Sequence, residues 1–157
     1  MTRLQAVFVI ALMAGCRHPP DAAARWSGCY SLTRGTWDQM PESLLVALPG
    51  PVLRLAADTS GYRRRFQGGP LPDSAHVHYT AWLGSLDALW WAAGDSSIRV
   101  TTGGLAGVTL DLHGTPLALN GTVTTFTAVL KADSAGQLQP WLSRAPLQAH
   151  REACAMQ

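Results

Sequence analysis

Hydrophobic and polar residues alternate through much of the second half of the chain, most clearly over residues 97–129. Val108, Leu110 and Leu112 alternate there with polar residues, as a strand with one buried face requires. Thr, Val and Leu dominate the stretch, and Gly, Asn and Pro interrupt it at short intervals. The pattern therefore predicts successive antiparallel strands rather than a helix.

Two candidate turns lie within this stretch. Residues 113–116 (HGTP) predict a turn, because glycine permits a positive φ and proline removes a hydrogen-bond donor from the ladder. The Asn120-Gly121 pair leaves two alternatives, a type I′ hairpin turn or a bulge at Gly121 inside one long strand. The bulge is favoured, because a hairpin would leave only residues 117–119 as a strand.

Similar patterns predict further strands elsewhere. They fall at residues 26–32, 52–57, 76–83, 89–93 and 141–154, with a brief strand at 63–67 inside a long loop over 58–74. Residues 35–50 are the best helical candidate, because Pro41 suits the first turn of a helix and three leucines can share a face. That segment would be either a lid over one end of the sheet or a plain connection.

The number and order of these elements predict the fold class. Seven to nine strands with at most one or two short helices indicate an all-β domain. A single antiparallel up-and-down barrel is favoured over a small sandwich, because the strands follow one another as a meander.

The first 15 residues have the features of a signal peptide, with a basic Arg3 before an apolar run over residues 6–14. The run is too short to cross a bilayer as a helix, which takes about 20 residues. The last residues of this run and the two that follow, Met13-Ala14-Gly15-Cys16, resemble the lipobox of bacterial lipoproteins. The resemblance implies that Cys16 becomes the acylated first residue of the mature chain and attaches it to a membrane. The alternative is an ordinary secretory signal with an incidental cysteine.

The lipoprotein resemblance also implies a division of the chain and a location. Residues 1–15 would be the signal peptide, residues 16–25 the acylated cysteine with a tether, and residues 26–157 the barrel domain. Arg17 is not the Asp that signals inner-membrane retention in that family. A cell-envelope location at the outer membrane is therefore implied, if the host has two membranes.

Size and charge limit the kinds of partner. Removing residues 1–15 from the 157 leaves 142, enough for one domain with a real core. The formal net charge of +2 falls to +1 when Arg3 is lost, so nucleic acid is not an expected partner. The basic cluster at residues 63–65 is either a solvated loop or a contact for anionic lipid headgroups.

Two of the three cysteines remain once Cys16 is assigned to acylation. An exported protein lies in an oxidising compartment, so Cys29 and Cys154 are predicted to form a disulfide. The two residues lie near the ends of the mature domain. In an up-and-down barrel, where the first and last strands are neighbours, this bond would staple the closing seam.

The first predicted strand carries a pattern of its own. Residues 26–32 read W-x-G-x-Y-x-L, with Trp26, Gly28, Tyr30 and Leu32 expected on one face. This pattern resembles the first strand of lipocalins and the wider calycin group. The resemblance implies a barrel whose floor is closed by a glycine and a nearby tryptophan.

Candidate chemistry is sparse. His76 and His78 lie two residues apart, so on a strand they would face the same side and could offer two imidazoles to a metal. A third ligand, Asp111 or His113, would require a tertiary contact, and the alternative is two ordinary strand histidines. The glycine-rich residues 102–107 match no phosphate or dinucleotide loop, and no serine lies in a nucleophile elbow. A non-enzyme without a cofactor is therefore expected.

Six tryptophans are many for a chain of this length. On a strand, adjacent Trp90 and Trp91 must face opposite sides of the sheet. Inward tryptophans would either fill the barrel or line a cavity for an apolar ligand. The candidate lining residues, named for strand phase and aromatic character, are Trp26, Tyr30, Trp90, Trp91 and Phe126.

These observations support three hypotheses of function. The first is a lipid-anchored envelope lipoprotein that binds a small apolar or lipid-like ligand inside its barrel. The second is a non-catalytic protein-interaction or structural module of the envelope, with a packed barrel. The third is a metal-dependent enzyme that uses His76 and His78. The sequence leaves the identity of the ligand or partner and the oligomeric state open.

Overall fold

The structure, a computed structural model, describes residues 22–38, 50–60, 76–102, 107–132 and 134–155. They form a short helix and eight strands, which pair antiparallel in chain order and close into a barrel when the last strand meets the first. The elements are α1 (Ala22–Trp26), β1 (Gly28–Arg34), β2 (Val52–Leu55), β3 (Tyr79–Leu83), β4 (Leu86–Gly94), β5 (Ser97–Thr101), β6 (Val108–Thr115), β7 (Ala118–Ala132) and β8 (Leu138–Glu152). The predicted all-β up-and-down barrel is confirmed.

Alternate residues of the strands fill the barrel interior. In β6, Val108, Leu110 and Leu112 are buried, whereas the residues between them are only partly buried. In β8, alternate residues from Ser143 to Ala149 are buried and those between them are exposed. The period of two that predicts these strands therefore also determines which side chains enter the core.

Asn120-Gly121 is neither a hairpin turn nor a bulge, so both predicted alternatives are wrong. Both residues lie inside β7, and Gly121 pairs in regular register with Leu112 of β6 and Leu147 of β8. A Cβ atom at Gly121 would overlap the carbonyl oxygen of Asp111, so a residue without a side chain is needed at this close approach. The shift in register lies further on, between Phe126 and Leu130.

The predicted turn at residues 113–116 is displaced by two residues. β6 continues to Thr115, which pairs with Ala118 of β7, so the connection consists of Pro116 and Leu117. Glycine and proline therefore predicted a turn close to the observed one, but the ladder between β6 and β7 continues through Gly114.

The start of the barrel differs most from its prediction. Residues 22–26, expected as the end of a tether and the first strand residue, form α1, and β1 begins at Gly28. The helix is short, but Ala23 and Trp26 are buried against the barrel, and tertiary packing of this kind stabilises helices that are marginal alone.

The predicted helix at residues 35–50 lies largely outside the described residues. Its beginning is extended: the backbone amide of Gly35 donates to the carbonyl of Pro146, and that of Asp38 donates to the carbonyl of Arg144. Residues 35–38 thus prolong the contact with β8 beyond the end of β1. The brief strand predicted at 63–67 also lies outside the described residues.

Trp26 closes one end of the barrel. It is 1% exposed and belongs to the same apolar cluster as the inward residues of the strands. The hydroxyl of Tyr30, which is fully buried, donates a hydrogen bond of 2.8 Å to the carbonyl oxygen of Trp26. Burial raises the pKa of Tyr30, and the positive charge of Arg151 opposes this shift.

Arg151, near the end of β8, holds the helix in place. Its guanidinium donates hydrogen bonds to the carbonyl oxygens of Arg25, at 3.3 Å, and Ser27, at 2.5 Å. The same group lies against Gly28, where an added Cβ atom would come within 3.1 Å of it. A cation at the C-terminal end of α1 also complements the partial negative charge of the helix carbonyls.

The seam between β1 and β8 contains six residue pairs, from Cys29–Glu152 to Arg34–Leu147. Cys29 and Cys154 form a disulfide across it, with their Cα atoms 5.2 Å apart. The predicted disulfide across the seam is therefore confirmed. It lies at the end of the barrel that α1 covers.

Candidate functional site

Three of the five predicted ligand-binding residues are part of the packed core. Trp26, Tyr30 and Trp90 are each at most 1% exposed and belong to one apolar cluster. The indole N–H of Trp90 donates to the carbonyl oxygen of Ala56 at 2.9 Å, and its ring centroid lies 5.0 Å from that of Tyr79. The polar side-chain atoms of Tyr30 and Trp90 are thus bonded to backbone carbonyl groups of the protein.

Of the other two predicted residues, Trp91 lies outside this cluster, and the side chain of Phe126 is not described. Trp91 lies on the outer face of β4, opposite Trp90 as predicted, and is 4% exposed with its ring centroid 4.9 Å from that of His78. Phe126 lies in β7, where it pairs with Leu142, and its side chain is outside the described residues.

Twenty buried residues of α1 and the strands form one apolar cluster in the described part of the barrel interior. No residue of the apolar cluster is more than 8% exposed. An internal void wide enough for water would leave the side chains around it with accessible area, as a ligand cavity does. The cluster residues therefore fill the part of the barrel that they line.

A few polar groups are buried at the end of the barrel opposite α1. Ser143 is fully buried, and its hydroxyl donates to the carboxylate of Asp38 at 3.1 Å. The backbone amide of Arg144 also donates to Asp38, at 2.8 Å, and this bond lowers the pKa of the exposed carboxyl group. The hydroxyl of Thr125 has no hydrogen-bond partner among the described residues.

The two candidate metal-binding histidines differ in environment. His76 is exposed, whereas His78 is 4% exposed and packs on Trp91. Asp111, a possible third ligand, instead pairs with Arg99 of the neighbouring strand. Within the described ranges, no group of three metal-ligating side chains comes together.

A groove of about 390 Å³ lies on the outer wall of the barrel, beside the disulfide. The outward residues of β1 and β2 form its base, and residues 152–155 form one side. We call this feature the outer groove. Its volume lies in the lower part of the range of small-ligand pockets.

Opposite charges flank the outer groove. Cys29 of β1 lies between Arg54 of β2 and Glu152 of β8 in the ladder, so one strand separates the two charged residues. The guanidinium of Arg54 lies 5.0 Å from the ring centroid of Trp82, a cation–π contact that orients it. Within the described chain, neither the guanidinium of Arg54 nor the carboxylate of Glu152 has a hydrogen-bond or ion-pair partner.

Arg54, Trp82 and Glu152 were not identified from the sequence. Each occupies an outward position of its strand, where an isolated charged or aromatic residue is ordinary. Only the register of β1, β2, β3 and β8 brings them together, and residues 54 and 152 are distant in sequence. The alternation within each strand was the only available signal. It predicts which face of the sheet a side chain occupies, but not which residues of other strands lie near it.

No helix in the described part of the chain combines the length and the apolar character needed to cross a membrane. Comparisons with protein-family models, with curated proteins and with solved structures find no match to this chain.

Proposed function

We propose that this chain is an exported, lipid-anchored protein of the cell envelope that contacts a partner through the outer wall of a packed barrel. The observation that carries the proposal is the close packing of the inward side chains that the structure describes, which form one buried apolar cluster. A barrel of this kind has its outer surface available for recognition. The outer groove, with its opposite charges, is the described feature best suited to that role.

The disulfide supports the exported part of the proposal. Disulfides persist in oxidising compartments and are rare where thiols are kept reduced. The bond joins Cys29 and Cys154 at the barrel seam, and the signal-like residues 1–15 with Cys16 supply a route out of the cytoplasm. Several acyl chains on Cys16 would hold the barrel stably on a membrane, since each buried methylene contributes about 0.8 kcal/mol.

The packing favours this function over an apolar ligand inside the barrel. The inward aromatic candidates Trp26, Tyr30 and Trp90 belong to one buried cluster. The hydroxyl of Tyr30 and the indole N–H of Trp90 are already bonded to carbonyl oxygens of the protein. A ligand at their position would have to displace core side chains, and removing a buried aromatic residue from a core costs about 3–5 kcal/mol.

The anchor is tested by metabolic labelling with a clickable palmitate analogue in a bacterial host. The full chain is expected to take up the label and to sediment with membranes, whereas Cys16→Ser loses both properties. Cys29→Ser serves as the matched control and keeps the label. An unlabelled full chain would contradict the lipid anchor.

The outer-wall contact is tested by photo-crosslinking in the same cells. A benzophenone amino acid in place of Trp82 is expected to give a discrete crosslinked species, because this residue borders the outer groove. The same amino acid in place of Asn120, exposed on β7, is the control. Identical patterns from the two positions would contradict a contact at the groove.

A fluorescent fatty-acid probe separates the packed barrel from the ligand-binding barrel. Saturable probe binding that is displaced by unlabelled lipid, and lost in Trp90→Ala, would overturn the packed-barrel proposal. The expected result is only weak, non-saturable association.

A further inference from the structure

We propose that the outer groove binds a short extended peptide of about three residues, with an anionic group held by Arg54 and a cationic group held by Glu152. This inference rests on the proposed function, a barrel that recognises its partner on the outer wall, and it names the chemistry of that partner. It is carried by the placement of two opposite charges on either side of a groove of about 390 Å³.

The first step concerns the two charges, which have no partner of their own among the described residues. Adjacent strands lie about 4.8 Å apart, so the backbones at Arg54 and Glu152, on either side of Cys29, are separated by about 10 Å. Both residues are exposed, and the disulfide lies between them. No ion pair joins the two side chains in the described structure, so both charged groups are available to a ligand.

The second step concerns the orientation of Arg54. The guanidinium carbon of Arg54 lies 5.0 Å from the ring centroid of Trp82, and this cation–π contact leaves an N–H edge of the guanidinium without a hydrogen-bond partner among the described residues. A carboxylate can accept two parallel hydrogen bonds from such an edge. The pre-ordered guanidinium loses less conformational freedom on binding than a mobile arginine would.

The third step concerns the surface between the charges. The disulfide, Pro51 and Val52 present apolar or weakly polar atoms to the groove, and Val52 is 37% exposed. An apolar side chain of a ligand would cover this surface.

The length of the ligand follows from the spacing. A free amino acid carries both charges on one carbon, so it cannot reach both sides. An extended chain advances about 3.3 Å per residue, and three residues therefore span about 10 Å between an ammonium and a carboxylate group.

The test uses the full chain in lipid nanodiscs, labelled with 5-fluorotryptophan and titrated with the tripeptide Ala-Leu-Ala while ¹⁹F resonances are recorded. Trp82 reports on the groove, and its resonance is assigned by its loss in Trp82→Phe. The five other tryptophans of the chain report that the fold is intact. The expected result is a saturable shift of the Trp82 resonance, with an apparent Kd of about 1 mM or tighter.

Paired changes of protein and peptide test the two contacts separately. Arg54→Gln is expected to weaken binding about tenfold, and the C-terminally amidated tripeptide is expected to lose the same factor against the unchanged chain but nothing further against Arg54→Gln. Glu152→Gln and the N-acetylated tripeptide form the second pair. Arg99→Gln, on the outer face of β5, is the control and keeps full affinity.

Three results would overturn the inference: no shift up to about 10 mM peptide, equal binding of the doubly blocked tripeptide, or equal weakening by Arg99→Gln and Arg54→Gln. Because the peptide modifications leave the protein unchanged, they decide the question even if a variant fails to fold. A negative titration together with a crosslink through position 82 would refute the peptide alone and leave the outer-wall function standing.

Discussion

At the scale of single residues, Gly121 shows how closely β6 and β7 approach. A Cβ atom at this position would overlap the carbonyl oxygen of Asp111 and come within 3.0 Å of the Cα of Leu112. Both neighbours are backbone atoms of a paired strand, so they cannot rotate away. The position thus requires glycine for space, although its sequence context left a hairpin turn and a bulge as the two alternatives and favoured the bulge.

Gly121→Ala is expected to destabilise the barrel by about 1–3 kcal/mol, because overpacked sites force backbone shifts of that cost. Urea unfolding followed by far-UV circular dichroism measures the effect. The neighbouring, exposed Thr122→Ala is the control and should change the free energy of unfolding by about 0.5 kcal/mol or less. Equal effects of the two substitutions would show that the strands can separate at Gly121 without cost.

Asp38 predicts a dependence of stability on pH. The backbone amide of Arg144 and the hydroxyl of Ser143 donate to its carboxylate, and the first of these bonds contributes most to lowering its pKa. A lowered folded-state pKa gives stability that is present above the unfolded value, about 3.9, and is lost as the pH falls through the folded value.

Asp38→Asn is therefore expected to lower the urea midpoint at pH 7 and to lose less stability than the unchanged chain below about pH 4. The two curves should converge in acid. Asp95→Asn, in the exposed turn between β4 and β5, is the control. A constant difference between Asp38→Asn and the unchanged chain from pH 7 to pH 2 would contradict the role of the charged carboxylate.

At the scale of elements, α1 depends on the strand that ends beside it. The helix has five residues and lacks the length to be stable alone. Trp26 attaches it to the core, and Arg151 of β8 bonds to the carbonyl oxygens at its C-terminal end. β8 thus holds in place the helix α1, which precedes β1 in the chain.

Arg151→Met should test this link with two measurements. Loss of the charged hydrogen bonds is expected to cost about 1–2 kcal/mol of unfolding free energy, since the guanidinium is exposed. It should also raise the pKa of Tyr30 further, because the Arg151 charge opposes the effect of burial. Ultraviolet titration near 295 nm, with Tyr30→Phe to assign the signal, measures this shift. An unchanged or lowered Tyr30 pKa would contradict the contact.

At the scale of the whole molecule, the disulfide stabilises a barrel that backbone pairing already closes. The bond spans 125 residues of sequence, and closing a loop of that size in the unfolded chain stabilises the folded state by about 4–5 kcal/mol in the chain-entropy model. The six residue pairs of the β1–β8 seam close the barrel by backbone pairing, so we expect the seam to persist without the bond.

The double variant Cys29→Ser, Cys154→Ser is expected to keep its far-UV circular dichroism spectrum and to lose about 2–5 kcal/mol of unfolding free energy. Reduction of the unchanged chain should produce the same loss, which serves as the control for effects of serine. An unchanged urea midpoint in both experiments would mean that the bond does not restrict the unfolded chain.

The sequence by itself determined the fold class, the inward faces of the strands and the cysteine pairing. These properties follow from local alternation, which repeats every two residues, and from the oxidising compartment that the signal-like start implies. Val108, Leu110 and Leu112 are buried for the same reason that they were recognised. Turn positions were predicted less accurately, because Gly114 adopts its positive φ inside the β6 ladder and Gly121 is needed for a close approach to β6.

The packing of the described inward side chains and the placement of Arg54 and Glu152 beside one groove depend on how the eight strands come together. Packing of the barrel interior depends on the summed volume of side chains from all eight strands. No single segment of the sequence reveals this sum. The outer groove joins Arg54 and Glu152 through strand register and barrel closure. Closure brings the first and last strands together, and proximity of that kind has no periodic signature in the sequence.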